Sequence, residues 1–199
     1  MDGSGSANGP ISFSGSIGKR GDEAMLNGKE RNAMNIRVVT EGERDFVREQ
    51  RLNAYLPYAA RISAEHWQGL SHSLSSDADR QNGAELLVAE IDGRIAGSVV
   101  LFPPRTDAYD GLVDAADVPE IRMLAVDSDY RGRGVASALI DACVERARAQ
   151  GFRAIGLHTG EFMTPARRLY EKLGFARVPE LDFVPIADGI VVMGYRLSI

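Results

Sequence analysis

One cysteine, Cys143, stands in 199 residues, so no intrachain disulfide can form and a reducing cytoplasm suits the chain. No apolar run approaches the roughly 20 residues that cross a bilayer, and the first residues lack the apolar centre of a signal peptide. The expectation is a soluble, cytoplasmic protein with no membrane partner. Excess positive charge is missing as well. The formal net charge is -5, which argues against a general nucleic-acid binder and leaves room only for a local basic patch. Three histidines without clustered carboxylates give no metal signature. A Gly-Lys-Ser/Thr run is absent too, which excludes the lysine and magnesium-binding hydroxyl of a P-loop. What remains is ordinary: 44% apolar and 26% charged residues, in a length that suits one domain with a sizeable core.

Residues 1–33 are dominated by Gly, Ser, Asn and charge, with isolated apolar residues and no period. Such a segment buries too little surface to offset its ordering entropy, so it is expected to be a disordered extension, with the domain covering 34–199. "NIRVVT" at 35–40 reads as a strand, and Thr40 offers an N-cap to a helix that follows. The segment 58–82 reads as partly helical. Two β-rich runs over 85–102 flank Asp92-Gly93, a dipeptide suited to a type I′ hairpin turn. A polar loop over 103–119 holds three of the eight prolines and is long enough to expect a functional role.

The later order is strand (120–126), helix (133–151), strand (152–159), helix (164–174) and closing strand (188–199). Ala136, Leu139, Ile140, Cys143, Val144 and Ala147 recur at three- and four-residue spacing and predict one buried stripe, which makes Cys143 a core residue rather than a nucleophile. Strand–helix–strand implies a right-handed crossover and a parallel pair. The fold class is therefore α/β, a mixed sheet with an antiparallel N-terminal part and a later parallel pair.

"DYRGRGVA" at 129–136 sits where strand hands over to helix. A helix start presents unsatisfied N–H groups and partial positive charge. Gly132 and Gly134 remove the Cβ atoms that would keep a phosphate away, and Arg131 and Arg133 add charge. By itself the segment supports either a phosphate cradle or a solvated turn.

Three segments carry a family resemblance: "EIRMLAVDSDYRGRG", "RGRGVA" and "ARRLYEKLGF" at 166–175. Together, in this order, they resemble the coenzyme A-binding strand and turn, and a later helix, of the GNAT superfamily of N-acetyltransferases. The resemblance implies the GNAT fold, a central sheet of about six to seven strands flanked by helices. It implies acetyl-CoA as co-substrate, with no metal, and direct transfer of the acetyl group to a primary amine in a ternary complex. Backbone N–H groups of Arg133, Gly134, Val135, Ala136 and Ser137 would hold the pyrophosphate, with Arg131 opening the motif and Gly132 shaping it. Leu124, Ala125 and Val126 would run beside the pantetheine arm, in a gap where this strand splays from its neighbour. Tyr170 matches the tyrosine that protonates the departing thiolate, and Glu120 a glutamate that in some members deprotonates the amine.

Where the family often has Asn at the start of that later helix, this chain has Met163, so one contact to the cofactor is missing. His66, His72, Tyr55, Tyr58 and Trp67 fall where an acceptor site would form, although packing explains the aromatic residues equally well. His158 reads as a solvated strand end, with service as an acid or base as the alternative. The acceptor would be a small molecule or a peptide amine, and a homodimer is compatible with all of this. Two other readings stay open: an acyl-CoA-binding sensor without turnover, and transfer to a hydroxyl or of a longer acyl group.

Overall fold

The structure is a computed structural model that describes residues 33–81, 83–107, 111–112 and 116–199. The extension expected over 1–33 lies, but for its last residue, outside the described residues, as does the middle of the 103–119 loop. Among the described residues, seven strands and four α-helices follow one another: β1 (Asn35–Val38), α1 (Arg44–Tyr55), α2 (Ala64–Ser75), β2 (Glu85–Ile91), β3 (Arg94–Phe102), β4 (Glu120–Val126), α3 (Val135–Ala149), β5 (Ala154–Gly160), α4 (Thr164–Lys172), β6 (Ala176–Arg177) and β7 (Val192–Ser198). They build one sheet in the order β1-β2-β3-β4-β5-β7-β6. Every pairing is antiparallel except β4 with β5. This is the mixed α/β sheet that the element order implied.

Both faces of the sheet are covered, and the strand sequences show why. In β2, Leu87, Ala89 and Ile91 join one apolar cluster with α3, while Leu86 and Val88 join another with Val47 of α1 and Leu74 of α2. In β3, Val99 and Leu101 divide from Val100 and Phe102 in the same way. Side chains alternate along a strand, so a strand buried on both faces needs an almost unbroken apolar run. Each fully buried Leu, Ile or Phe of this kind contributes roughly 1.5–3 kcal/mol.

Turn and cap residues take the conformations that their types favour. Asp92 and Gly93 both have positive φ, at 53° and 71°, as a type I′ turn requires. Gly151 and Gly174, at φ 86° and 90°, close α3 and α4. Three boundaries move. Helix α1 begins at Arg44 because a single 3₁₀ turn, Glu41–Glu43, intervenes after Thr40. Helix α3 begins at Val135, not at 133, because Gly134 is left-handed (φ 84°) and cannot continue a helix backwards. The closing strand begins at Val192, because Asp188 and Gly189 (φ 78°) turn the chain before it. The buried stripe of α3 contains Leu139, Ile140, Cys143, Val144 and Ala147 as expected, with Val135 buried and Ala136 only half-buried. Burial pushes the Cys143 thiol up to about 12, so it is a core residue.

Candidate active site

The parallel pair is where the sheet opens. β4 and β5 are in register only at Glu120 with Gly156 and Ile121 with Leu157, although each strand has seven residues. Beyond Ile121 the strands part. A cavity of about 350 Å³ occupies the region, lined by Ile121–Leu124 of β4, His158–Gly160 of β5, α2, Tyr170 and the segment before β7.

β4 is distorted at this point. Its register against β3 slips between Ser98 and Val100, and Met123 at the slip has a φ of 54°. A left-handed side-chain-bearing residue within a strand costs on the order of 1–3 kcal/mol and needs support from its surroundings. That support is unusual. Arg51 of α1 is fully buried, and its Nη1 lies 3.1 Å from both the Met123 sulfur and the Leu74 carbonyl. Its Nη2 donates to Asp79 at 3.0 Å, and Asp79 is itself buried. Burial lowers the Arg51 pKa, although the Asp79 carboxylate works against that. From the same helix, Tyr55 donates its hydroxyl to the Leu124 carbonyl at 3.0 Å, and burial pushes its phenol up to about 12.

The turn after β4 has the shape its glycines suggested. Gly132 and Gly134 both have positive φ, 73° and 84°, and a Cβ built on either meets nothing within 4 Å. Space above the turn is therefore open. The first intrahelical bond of α3 runs from Ala138 N–H to the Gly134 carbonyl, which leaves the N–H groups of Val135, Ala136 and Ser137 without partners inside the helix. Arg131 is turned away from this opening in part: its Nη2 donates to the Ala54 carbonyl at 3.1 Å and its Nε to Val126 at 3.4 Å. Arg133 lies over the Tyr130 ring, 5.2 Å from its centre. The α3 start, with two glycines and open space, fits a pyrophosphate; Arg131 contributes by tying the turn to α1 and β4.

Tyr170 is buried, packs edge-on against Phe175, and lines the cavity. Burial raises its phenol far above the ordinary value, so it stays protonated throughout the working pH range. Met163 is buried at the start of α4 and also lines the cavity, where it receives the Thr159 hydroxyl at 3.6 Å.

Glu120 and His158 are brought together, which the sequence did not reveal. The His158 side chain is 6% exposed, so it is not a solvated strand end. Its Nε2 lies 3.1 Å from the Leu181 carbonyl, and a carbonyl can only accept, so Nε2 carries a proton. Its Nδ1 lies 2.9 Å from Glu120 Oε1. One proton must then sit between the two, on one side or the other. Glu120 is buried behind His158, and it is His158 that lines the cavity. Of the other acceptor-side candidates, His66 and Tyr55 line the cavity; Tyr58 supports it by packing on Phe162, while Trp67 and His72 are not among its lining residues.

An open α/β sheet split at a parallel pair, with a glycine turn leading into a helix at the split, is the arrangement that the family resemblance implied. Residues 46–175 match the model of the acetyltransferase (GNAT) family, and the chain belongs to that family. It is 32% identical over 125 residues to an N-acetylaspartate synthetase of Xenopus tropicalis, covering 61% of this chain and 43% of that protein. It is 35% identical over 140 residues to a mycothiol acetyltransferase of Cellulomonas flavigena, covering 67% of this chain and 40% of that protein. These alignments thus span less than half the length of either relative. Among solved structures, a GCN5-related N-acetyltransferase from Rhodopseudomonas palustris superposes with a TM-score of 0.61 at 22% identity, over 83% of this chain and 95% of that one. A Salmonella typhimurium protein described as an acetyltransferase and solved with acetyl-CoA superposes at 0.59 and 20% identity, over 84% and 94%. Such distant likenesses establish the fold. Among the described residues no helix is long and apolar enough to cross a membrane.

Proposed function

We propose that the protein transfers an acetyl group from acetyl-CoA directly to a primary amine. The observation that carries this is the split between β4 and β5, which opens beside the glycine turn and has Tyr170 on its wall. In this reading the pyrophosphate rests on the N–H groups of Arg133 to Ser137, and the pantetheine arm lies along Leu124, Ala125 and Val126. The Leu124 carbonyl already accepts from Tyr55, so it offers the arm only its second lone pair.

Tyr170 then acts mainly as a hydrogen-bond donor to the sulfur as the carbon–sulfur bond breaks. With its pKa raised, it stabilises thiolate without needing to surrender its proton fully. Glu120 is held by His158; as a free base toward the amine it would have to leave the bond at 2.9 Å. The acceptor enters a largely apolar chamber whose charged walls are Arg122 and Glu65, which suits an amine with an apolar substituent. The relatives' names point to different acceptors, so likeness does not choose among amines.

Calorimetry with acetyl-CoA, followed by an amine panel read by thiol release, tests this. Binding followed by turnover is expected; binding with no turnover on any amine would favour an acyl-CoA sensor. Tyr170→Phe should lower kcat on the order of 100-fold while leaving acetyl-CoA affinity nearly unchanged. Unaltered kcat would remove Tyr170 from the reaction.

A further inference from the structure

The cavity contains a second histidine–carboxylate contact, arranged differently from the first. His66, on the first turn of α2, is buried and lines the cavity. Its Nδ1 lies 2.8 Å from Oδ2 of Asp188, a residue 122 positions away in the turn before β7. Asp188 is held as a carboxylate. Partial burial works against ionisation, but the Ile190 N–H on Oδ1, the His66 ring and the Ser63 hydroxyl on Oδ2 together bring its pKa below the ordinary value. Ser63 also caps α2 by accepting the His66 N–H, which fixes the backbone of the histidine. The ring is fixed by Phe162, whose ring stands perpendicular to it at 5.8 Å.

A carboxylate only accepts, so Nδ1 carries the proton and Nε2 of neutral His66 is left with its lone pair. No hydrogen bond engages Nε2 among the described residues. His158, by contrast, has both ring nitrogens engaged. A histidine oriented through Nδ1 by a carboxylate, with Nε2 directed to substrate, is the arrangement of a general base.

We propose that His66, oriented by Asp188, is the base that takes the proton from the acceptor ammonium; this rests on the acetyltransferase reading above. Nε2 of His66 accepts one ammonium proton. The neutral nitrogen then attacks the thioester carbonyl carbon and forms the carbon–nitrogen bond. The carbon–sulfur bond breaks, and the second nitrogen proton passes to the sulfur, beside the Tyr170 hydroxyl. His66 finally returns its proton to solvent, so the sum is ammonium plus acetyl-CoA giving amide, free thiol and one proton. Asp188 is a positioning residue. The charged and titratable groups that share the cavity with His66 are Glu65, Arg122, His158, Tyr55 and Tyr170, besides Asp188.

The test uses the full chain, the best amine from the panel, and a weakly basic aromatic amine that is already neutral at assay pH. His66→Gln should lower kcat/KM for the basic amine on the order of 100-fold or more and remove the acidic limb of its pH profile. The aromatic amine should lose far less, since it has no proton to give up before attack. Asp188→Asn should displace the acidic limb, and acetyl-CoA affinity by calorimetry should be unchanged in both variants. An unaltered profile in His66→Gln, or an equal loss on both amines, overturns the assignment while the acetyltransferase reading stands. Wild type that binds acetyl-CoA and acetylates no amine overturns both. Should the variants not fold, nitrogen NMR of wild type with labelled histidine decides: protonated Nδ1 and bare Nε2 at neutral pH supports the assignment, and the opposite tautomer overturns it.

Discussion

Gly134→Glu will weaken acetyl-CoA binding by on the order of 100-fold or more, with the fold intact. Gly134 is the N-cap of α3, exposed, with a φ of 84° and open space where a Cβ would stand. The folded protein therefore bears only the cost of a left-handed side chain, about 1–2 kcal/mol. The ligand meets something much larger. A carboxylate about 4 Å from a phosphate charge is opposed by roughly 4 kcal/mol at an effective dielectric of 20, before salt screening reduces it. Gly134→Ala separates the two contributions, because it carries the backbone strain and a small steric intrusion without the charge. Calorimetry on the three proteins checks the order: wild type, then Ala, then Glu by a wide margin. Equal affinity in wild type and Glu would show that pyrophosphate rests elsewhere.

Asp79→Leu will destabilise the fold by about 3–5 kcal/mol, because it leaves Arg51 as a buried charge without its counter-ion. At roughly 2–4 °C per kcal/mol for a chain of this size, the melting temperature should fall by about 6–20 °C. Arg51 cannot easily turn outward, since it is 0% exposed beneath α1, and its Nε already has no partner. The double variant Arg51→Met with Asp79→Leu should recover most of the loss, since apolar replacement of a buried pair is often neutral. Denaturant unfolding of the single and double variants measures both. A loss below about 1 kcal/mol in Asp79→Leu would mean that water reaches the pair. The double variant also asks what the pair contributes beyond stability: if Met123 loses its left-handed conformation without Arg51 behind it, acetyl-CoA affinity should fall although stability has returned.

The local rules of the sequence carried the scaffold and stopped at the chemistry. Asp92-Gly93, the closing glycines and the alternation through β2 and β3 are encoded within a few residues of where they act, so they could be read directly. The same holds for the glycine turn, where order along the chain is enough. Met123 is not legible, because nothing in "EIRMLAV" marks one residue as left-handed, and its side chain meets Arg51, 72 positions earlier. His158 reads as a solvated strand end because the groups its ring nitrogens meet, Glu120 and Leu181, lie 38 and 23 positions away on different elements. His66 was visible as an acceptor-side residue, but its carboxylate comes from 122 positions downstream. A signal was present in "DGI" at 188–190, an acidic residue at a turn before a strand, yet turn-forming Asp is too common for that to single it out.

The divergence of β4 from β5 has a further consequence, for solubility. A strand edge with unpaired backbone groups is an invitation to another chain, and proteins usually blunt such edges with charge, proline or a covering element. Here the edge of β4 beyond Ile121 lies in the middle of a seven-stranded sheet, with α2 and the segment before β7 beside it. The outer margins of the sheet are β1 and the two-residue β6, both short. In the proposed reading, the backbone edge that would take the pantetheine arm thus lies inside the sheet rather than at its margin.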